Sequence, residues 1–147
     1  MELRKYKITT VDYETYEFWS EGSKGRIRKI IRFQRLEIEL YNLGFGDWNE
    51  KVQGVDDRVR SNNNDKDRVL ATVAAAVIEF MKYHPEAVIY AKGTTPARTR
   101  LYQIGLHRHW REISLLYSVK GIIQGVLTPF ESGRNYDAFV LTAKEKK

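Results

Sequence analysis

The chain contains no cysteine and no apolar run long enough to cross a bilayer. Without cysteine, neither a disulfide framework nor a thiolate zinc site can form, and this composition fits a reducing cytoplasm. The longest apolar block, residues 69–81, is interrupted by Thr72 and Glu79 and is shorter than the ~20 residues of a transmembrane helix. Residues 1–7 carry charges with no apolar run after them, so no signal peptide is expected. These absences predict a cytoplasmic protein that does not associate with membranes.

Complete catalytic signatures are also missing. The sequence has no G-x-S-x-G, no H-E-x-x-H and no cysteine nucleophile, so covalent hydrolysis has no visible participants. Asp56 and Asp57 are adjacent, and His107 and His109 are expected on opposite sides of an extended segment, but neither pair has the further ligands that a metal site needs. We therefore expect no metal ion, and the sequence favours a binding protein over an enzyme.

The chain does contain enough apolar material for one folded domain. Of its 147 residues, 42% are hydrophobic and 12% are aromatic, a composition that argues against disorder. No linker, repeat or low-complexity segment divides the sequence, so a single domain is expected over residues 1–147. Residues 143–147 are expected to form a solvated tail.

Hydrophobic periodicity predicts an α+β fold. Alternating and turn-forming residues favour the order βββ-α-β-α-βββ, a mixed, largely antiparallel sheet of about six or seven strands with two helices. The predicted strands cover residues 13–20, 26–33, 36–40, 87–91, 113–119, 122–128 and 136–142, and the predicted helices run from residue 64 to about residue 84 and from 96 to 104.

Individual residues mark the predicted ends of these elements. Residues 42–47 include two glycines and are predicted as a loop in which Asp47 accepts hydrogen bonds from backbone N–H groups. Asn64 is predicted as the N-cap of the first helix. Gly105 is predicted at the residue after the second helix, and residues 120–121 are predicted as a hairpin turn.

The net charge of +6 is unevenly distributed along the chain. One acid-free segment, residues 22–36, carries Lys24, Arg26, Arg28, Lys29, Arg32 and Arg35. A second, residues 87–111, carries Lys92, Arg98, Arg100, Arg108 and Arg111. If both segments share a surface, that surface attracts phosphate polymers; a solvated face balanced by acids elsewhere is the alternative.

The segment after residue 91 is the best candidate site in the sequence. Gly93 permits a tight turn, Thr94 and Thr95 add hydroxyl groups, and a helix is predicted to start at Pro96 with Thr95 as its N-cap. Such a turn at the carboxyl end of a strand is a plausible anion site. Arg98 would then clamp a phosphate, and Arg100 would serve a different contact. The alternative is an ordinary capped turn in which Arg98 pairs with an acid.

A second candidate is the set of strand arginines, which share one face of the predicted second strand. These residues are Arg26, Arg28 and Arg32. With Trp19 or Tyr16 nearby for stacking, they could contact a nucleic-acid backbone. The alternative is pairing across the strands with glutamates of the preceding strand. Those glutamates are Glu14, Glu17 and Glu21.

Several stretches together resemble an uncharacterised bacterial domain-of-unknown-function family. They are residues 16–20 (YEFWS) with Gly22 and Gly25, residues 42–47 (NLGFGD), residues 63–73 (NNDKDRVLATV), residues 93–102 (GTTPARTRLY), Glu112-Ile113 and residues 135–139 (NYDAF). The resemblance spans most of the chain. It implies no activity, because that family has no assigned function.

A fainter similarity is to the GNAT acyltransferases. The element order around the two predicted helices is similar, and residues 98–106 (RTRLYQIGL) look like the GNAT segment that carries a tyrosine. This resemblance implies coenzyme A as cofactor and Tyr102 as the general acid that protonates its leaving thiolate. Residues 60–65 (RSNNND) stand where a GNAT pyrophosphate loop is expected and contain no glycine.

Three functions follow as hypotheses. The first is a non-enzymatic module, without a cofactor, that binds a nucleic acid or nucleotide through residues 93–95, Arg98 and Arg100, with support from the strand arginines. The second is a GNAT-like acyltransferase that uses coenzyme A. The third is the protein-interaction component of a toxin–antitoxin or defence pair. In each case we expect a monomer or a homodimer.

Two structural features would distinguish the first two hypotheses. A continuous positive groove that joins Arg28, Arg32 and Arg98 would favour nucleic acid, and Arg98→Ala should then weaken binding more than Arg35→Ala. A V-shaped opening between the predicted strand 87–91 and its preceding neighbour would favour an acyl-carrier ligand.

Overall fold

The computed structural model describes residues 5–56 and 63–144. Nine strands and three helices form in this part of the chain. The strands are β1 (Thr9–Thr10), β2 (Thr15–Gly22), β3 (Gly25–Glu37), β4 (Leu40–Asn49), β5 (Gly54–Asp56), β6 (Val88–Ala91), β7 (Tyr117–Ile123), β8 (Val126–Pro129) and β9 (Ala138–Ala143). The helices are α1 (Lys66–Tyr83), α2 (Pro96–Arg108) and α3 (Trp110–Leu116).

All the strands belong to one sheet in the order β1-β2-β3-β4-β6-β9-β7-β8, with β5 paired to β4 outside this path. The β4–β6 pair is parallel and the other described pairs are antiparallel. Helix α1 connects β4 and β5 to β6, as a parallel pair requires a crossover. The predicted α+β class with a mixed, largely antiparallel sheet is confirmed.

The helices pack against one face of this sheet. Tyr16 and Phe18 on β2 point to this face, as the alternation in the sequence predicts, and both are fully buried. Phe33 stacks on Phe80 of α1 with ring centroids 4.0 Å apart, and Tyr41 meets the same ring edge-on at 4.9 Å. Burial of these large rings supplies much of the free energy that holds α1 on the sheet.

The opposite face is covered by no helix of the described residues, and we call it the open face. The strand registers place these residues on it: Trp19, Arg26, Arg28, Arg32, Gly44, Trp48, Tyr90, Lys120, Ile122 and Val140. The strand arginines therefore point away from the core, as the parity of β3 predicts.

The predicted third strand over residues 36–40 is wrong. Strand β3 continues to Glu37, and Leu36 and Ile38 lie exposed near the following turn, with 50% and 79% of their surface accessible. The segment 42–47, predicted as a loop, lies inside β4, where Leu43 and Phe45 alternate toward the core. Asp47 pairs with Lys29 across β3 and β4 rather than with backbone N–H groups.

The ends of α1 agree with the sequence to within one or two residues. The N-cap is Asp65 and not the predicted Asn64, which takes a left-handed conformation with φ of 60° just before the helix. The helix ends at Tyr83, next to His84 and Pro85, as predicted.

Helix α2 is longer than predicted, because Gly105 lies inside it. The His109 N–H donates to the Gly105 carbonyl at 3.1 Å, which continues the helical hydrogen bonding. A Cβ on Gly105 would lie 3.5 Å from Leu70 Cδ2, so this glycine contacts α1 closely. His107 belongs to α2 and His109 joins α2 to α3, so the two histidines are not on an extended segment.

The last third of the chain corrects three further predictions. Residues 113–116 are helical, because α3 precedes β7. Strand β7 runs through residues 120–121, and the hairpin turns at Gln124 and Gly125, which both have positive φ. Strand β9 extends through Ala143, and the Lys144 N–H donates to the Leu116 carbonyl at 3.1 Å. The described part of the predicted tail is therefore ordered, and residues 145–147 lie outside it.

Strands β4 and β6 pair over three positions only, from Leu40↔Val88 to Asn42↔Tyr90. Beyond these positions β6 ends at Ala91 and β4 continues to Asn49, where it pairs with β5. The parallel pairing therefore ends with β6, and the chain enters the candidate site at Lys92. No helix in the described residues is long and apolar enough to cross a membrane.

Candidate phosphate-binding cleft and open face

The turn after β6 forms as the sequence predicts. Thr95 is the N-cap of α2, and its Oγ1 accepts a hydrogen bond of 3.1 Å from the Arg98 backbone N–H, with Pro96 in the first turn. The Gly93 N–H donates to Thr99 Oγ1 at 2.9 Å. A Cβ on Gly93 would lie 2.5 Å from Arg98 Cβ, so a glycine is needed where the turn packs on the start of α2.

A cleft of about 440 Å³ opens beside this turn. One wall contains residues 92–96 together with Thr99, Arg100 and Gln103 of α2. The other wall contains residues 135–138 and the end of the β7–β8 hairpin. Tyr90 and Ile122 also line it, and both belong to the open face, so the cleft opens onto that face.

The electrostatics of the cleft favour an anion. Lys92 is exposed, and within residues 5–56 and 63–144 neither Lys92 nor Arg100 forms an ion pair. Asp137 is the one acidic residue among the described residues of the lining, and its Oδ2 already accepts a hydrogen bond of 2.8 Å from the Gln124 N–H. The Tyr136 hydroxyl is likewise engaged, since it donates to the Pro129 carbonyl at 2.9 Å.

The structure separates the predicted turn residues into two groups. Gly93, Thr94, Thr95 and Arg100 line the cleft. Arg98 is only 7% exposed, and its guanidinium lies 5.5 Å from the Phe45 ring on the helix-covered side of β4. The groove that was to join Arg28, Arg32 and Arg98 is therefore not formed, because Arg98 lies on the other side of the sheet.

Tyr102 also points into the core. It is 8% exposed and lines an apolar cavity of about 50 Å³ together with Leu43, Ala91 and Leu106. Leu43 and Ala91 directly follow the last paired positions of β4 and β6. The role of Tyr102 as a general acid stays a prediction.

The strand arginines differ from one another in their contacts. Arg28 donates to Glu17 Oε2 at 2.9 Å, and this hydrogen bond raises the pKa of its guanidinium. Its guanidinium also lies 4.7 Å from the Trp48 ring, and that of Arg26 lies 4.6 Å from the Trp19 ring. Arg32 is exposed and has no ion pair in the part of the chain that is described.

Pairing with glutamates of the preceding strand is thus found for Arg28 alone among the described residues. Arg26 lies opposite Glu21 in the register, but its guanidinium covers Trp19 instead. Glu14 lies 3.9 Å from His84 Nε2 and not beside an arginine.

Sequence reasoning missed part of this site. From the sequence alone, Lys92 is only one basic residue of the segment 87–111, and no prediction is made for Trp48. Alternation along β4 would have placed Trp48 and Gly44 on the same side as the strand arginines, once residues 42–47 had been recognised as a strand. No sequence signal links residues 135–138 to the turn at Gly93.

Asp57, considered with Asp56 as a metal ligand, lies outside the described residues. So do residues 60–62, which begin the segment where a GNAT pyrophosphate loop is expected. In the described part, Asn63 and Asp65 hold the β2–β3 hairpin against α1 through hydrogen bonds to Gly25 and Ser20. These contacts stabilise the fold and do not line the cleft.

The fold and the cleft define an α+β protein with one sheet, three helices on one face and a basic, aromatic open face. The chain belongs to DUF6934, a family of unknown function, whose model matches residues 2–144. This confirms the resemblance to a domain-of-unknown-function family. Comparison with curated proteins and with solved structures gave no match.

Proposed function

We propose that the protein is a non-enzymatic cytoplasmic module that binds a phosphate-bearing ligand, a nucleotide or a nucleic acid, in the cleft beside Gly93. The observation that carries the proposal is that Lys92 and Arg100 line the same cleft. Its acidic residue, Asp137, already accepts a hydrogen bond from a backbone N–H. A volume of about 440 Å³ lies within the range of ~300–1,000 Å³ that is usual for small-molecule sites.

The chemistry of the lining supports an anionic ligand rather than an apolar one. Arg100 supplies a planar fork of N–H donors, which matches phosphate oxygens, and Lys92 supplies a compact positive charge. Thr94 and Thr95 add hydroxyl groups on the same wall, next to the start of α2. Tyr90 lies where a base can stack once the phosphate is bound.

The test is calorimetric titration with a nucleoside diphosphate and with the same nucleoside lacking phosphate. The diphosphate should bind, its affinity should fall with salt, and the bare nucleoside should not bind. Arg100→Ala should weaken binding roughly 10- to 100-fold, because a hydrogen bond to a charged group is lost. Arg35→Ala is the matched control, since Arg35 is an exposed arginine outside the cleft. Equal affinity of the two variants would contradict the proposal.

The burial of Arg98 changes what its substitution is expected to do. Arg98→Ala removes a guanidinium that lies against Phe45, so it should lower stability rather than act on the ligand directly. Binding by Arg98→Ala is therefore informative only when its folded fraction is measured in the same sample.

A second candidate function is a GNAT-like acyltransferase that uses coenzyme A. The observation that favours it is the apolar cavity beside Tyr102, which adjoins the end of the short parallel pairing of β4 and β6. Coenzyme A at millimolar concentration should then raise the melting temperature by mass action. At a concentration of a hundred times its Kd, a ligand increases the free energy of unfolding by ~2.7 kcal/mol. No shift would remove this candidate.

A further inference from the structure

We propose that the open face is a platform for single-stranded nucleic acid, which runs from the cleft across Arg32 and Gly44 to Trp19. This inference rests on the proposed function, because the cleft would hold one nucleotide of the same strand. It names the ligand class, a flexible single strand rather than a duplex or a free nucleotide.

The far end of the platform carries exposed aromatic and guanidinium surfaces. Trp19 is 40% exposed although it lies in mid-strand, and the Arg26 guanidinium lies 4.6 Å from its ring. On the neighbouring strands Arg28 and Trp48 repeat the pairing at 4.7 Å. Aromatic rings and arginine planes are the surfaces on which single-stranded bases stack, whatever their sequence. An incoming base stacks on the Arg26 guanidinium or replaces it over the indole.

The charge of the open face suits a phosphate backbone. Arg32 and Lys120 are exposed and form no ion pair among the described residues. Three acids lie beside the far end of the platform. Glu17 pairs with Arg28 at 2.9 Å, Glu50 also acts electrostatically on Arg28, and Glu21 lies opposite Arg26 in the register. The positive part of the face is therefore the region of Arg32 and Lys120.

Gly44 leaves room for a bound chain beside Arg32, whereas Ile30 and Gly46 in the next row toward Trp48 are buried. Gly44 lies opposite Arg32 in the register, and a Cβ on Gly44 would meet only the Arg32 carbonyl oxygen, at 3.7 Å. Strand β6 is parallel to β4, so the cleft beyond β6 lies toward the same end of the sheet as Trp48. With ~4.8 Å between strands and ~3.3 Å per residue, the distance from Tyr90 to Trp19 is about 25 Å, which is enough for several nucleotides.

This geometry favours a single strand over a duplex. The faces of bases are accessible for stacking only when they are unpaired, whereas a duplex offers mainly its phosphates to a broad sheet. A duplex would therefore gain the electrostatic contribution of Arg32 and Lys120 but not the stacking contribution of Trp19.

The experiment is fluorescence anisotropy of a labelled deoxythymidine oligonucleotide, alone and annealed to its complement, titrated with the full chain at several salt concentrations. The single strand should bind more tightly than the duplex. Trp19→Leu should weaken single-strand binding roughly 5- to 100-fold and leave duplex binding nearly unchanged. Arg32→Ala should lower the salt slope by about one, and Arg35→Ala, on the same strand but the other parity, should not. Gly44→Glu should block binding without loss of folding.

The outcomes separate this inference from the proposed function. The nucleoside diphosphate reports on the cleft, and none of the open-face variants should change its affinity. Oligonucleotide binding that depends on Arg100 but not on Trp19 or Arg32 would overturn the platform and leave the cleft proposal standing. Duplex binding as tight as single-strand binding would also overturn it. If the wild-type chain bound neither the oligonucleotide nor the nucleoside diphosphate, both proposals would be overturned.

Discussion

The Ser20 hydroxyl donates a hydrogen bond of 2.5 Å to Asp65 Oδ2, across 45 residues of sequence. The Tyr6 hydroxyl donates to the same oxygen at 2.6 Å. Asn63 completes the cluster, because its Nδ2 donates to Ser20 Oγ at 3.0 Å and to the Gly25 carbonyl at 2.9 Å. This cluster fastens the β2–β3 hairpin, which carries Trp19 and the strand arginines, to the start of α1.

Asp65→Ala should therefore lower the free energy of unfolding by about 1–3 kcal/mol. The Ser20 hydroxyl loses its acceptor, and an unsatisfied group of this kind costs ~1–3 kcal/mol, whereas the Tyr6 hydroxyl keeps the Glu21 carbonyl as a second acceptor at 3.0 Å. Urea denaturation measures the change. The control is Asp67→Ala, because Asp67 forms an exposed ion pair of 2.8 Å with Arg108, and such pairs contribute ~0–1 kcal/mol. A similar loss in both variants would contradict the structural role of the Ser20–Asp65 contact.

Substitution by alanine should have opposite effects on stability at two glycines of the sheet, Gly22 at the end of β2 and Gly44 within β4. A Cβ on Gly22 would lie 1.8 Å from the Asn63 carbonyl oxygen, which is too close for any side chain. Gly22→Ala should therefore cost at least ~1–3 kcal/mol, since the hairpin must move away from residue 63. A Cβ on Gly44 would have an ordinary contact of 3.7 Å, so Gly44→Ala should be neutral or stabilising by up to ~1 kcal/mol. Thermal and urea denaturation measure both changes, and a Gly22→Ala variant as stable as Gly44→Ala would contradict the close approach at Gly22.

The Lys29–Asp47 pair gives a third prediction. The Lys29 ammonium and the Asp47 carboxylate lie in contact between β3 and β4, with side-chain exposures of 8% and 14%. Lys29→Met should cost about 3–5 kcal/mol, because it leaves a nearly buried carboxylate without its cation. The double variant Lys29→Met with Asp47→Leu should recover much of that loss, since apolar side chains of similar size pack in place of the charges. A double variant that is less stable than Lys29→Met alone would refute this interpretation.

Local patterns in the sequence predicted the elements whose periodicity is unbroken. The alternation at Tyr16 and Phe18, and the apolar circumference of α1, produced correct strands and a correct helix. The two glycines in residues 42–47 concealed β4, because glycine is typical of loops, whereas here Gly44 occupies a strand position with open space above it. Gly105 misled in the same way, since it lies inside α2, where its carbonyl accepts the His109 N–H.

The candidate site was predictable only in its local part. The capped turn at Thr95 follows from sequence spacing and was confirmed. The spacing of Arg98 and Arg100 predicts that they lie on different faces of α2. Which of these faces meets the core depends on tertiary packing, so the burial of Arg98 and the exposure of Arg100 could not be predicted. The second wall of the cleft comes from residues 135–138, more than thirty positions along the chain, and the open face exists only because all the described helices lie on one side.

His109 gives a pH-dependent prediction, because it is 4% exposed and its Nε2 has no hydrogen-bond partner within the described residues. Burial lowers the pKa of its imidazole, which the nearby Arg108 also lowers, while Glu112 and Asp67 act in the opposite direction. A histidine in the unfolded chain has a pKa near 6.5. Below that pH the unfolded chain binds a proton that the folded chain binds less readily, so protonation favours unfolding.

The contribution of the neutral, buried His109 to the free energy of unfolding is therefore fully present above about pH 6.5. It is lost as the pH falls toward the lower pKa that His109 has in the folded chain. Urea midpoints measured between about pH 7.5 and pH 5.5 should decrease more in the wild-type chain than in His109→Gln, which does not titrate. His107→Gln is the matched control, since His107 is an exposed residue of the same helix end whose Nε2 lies 3.2 Å from Ser132 Oγ. If His109→Gln kept the wild-type pH slope, or if His107→Gln removed it, the burial of His109 would not be the source of the acid sensitivity.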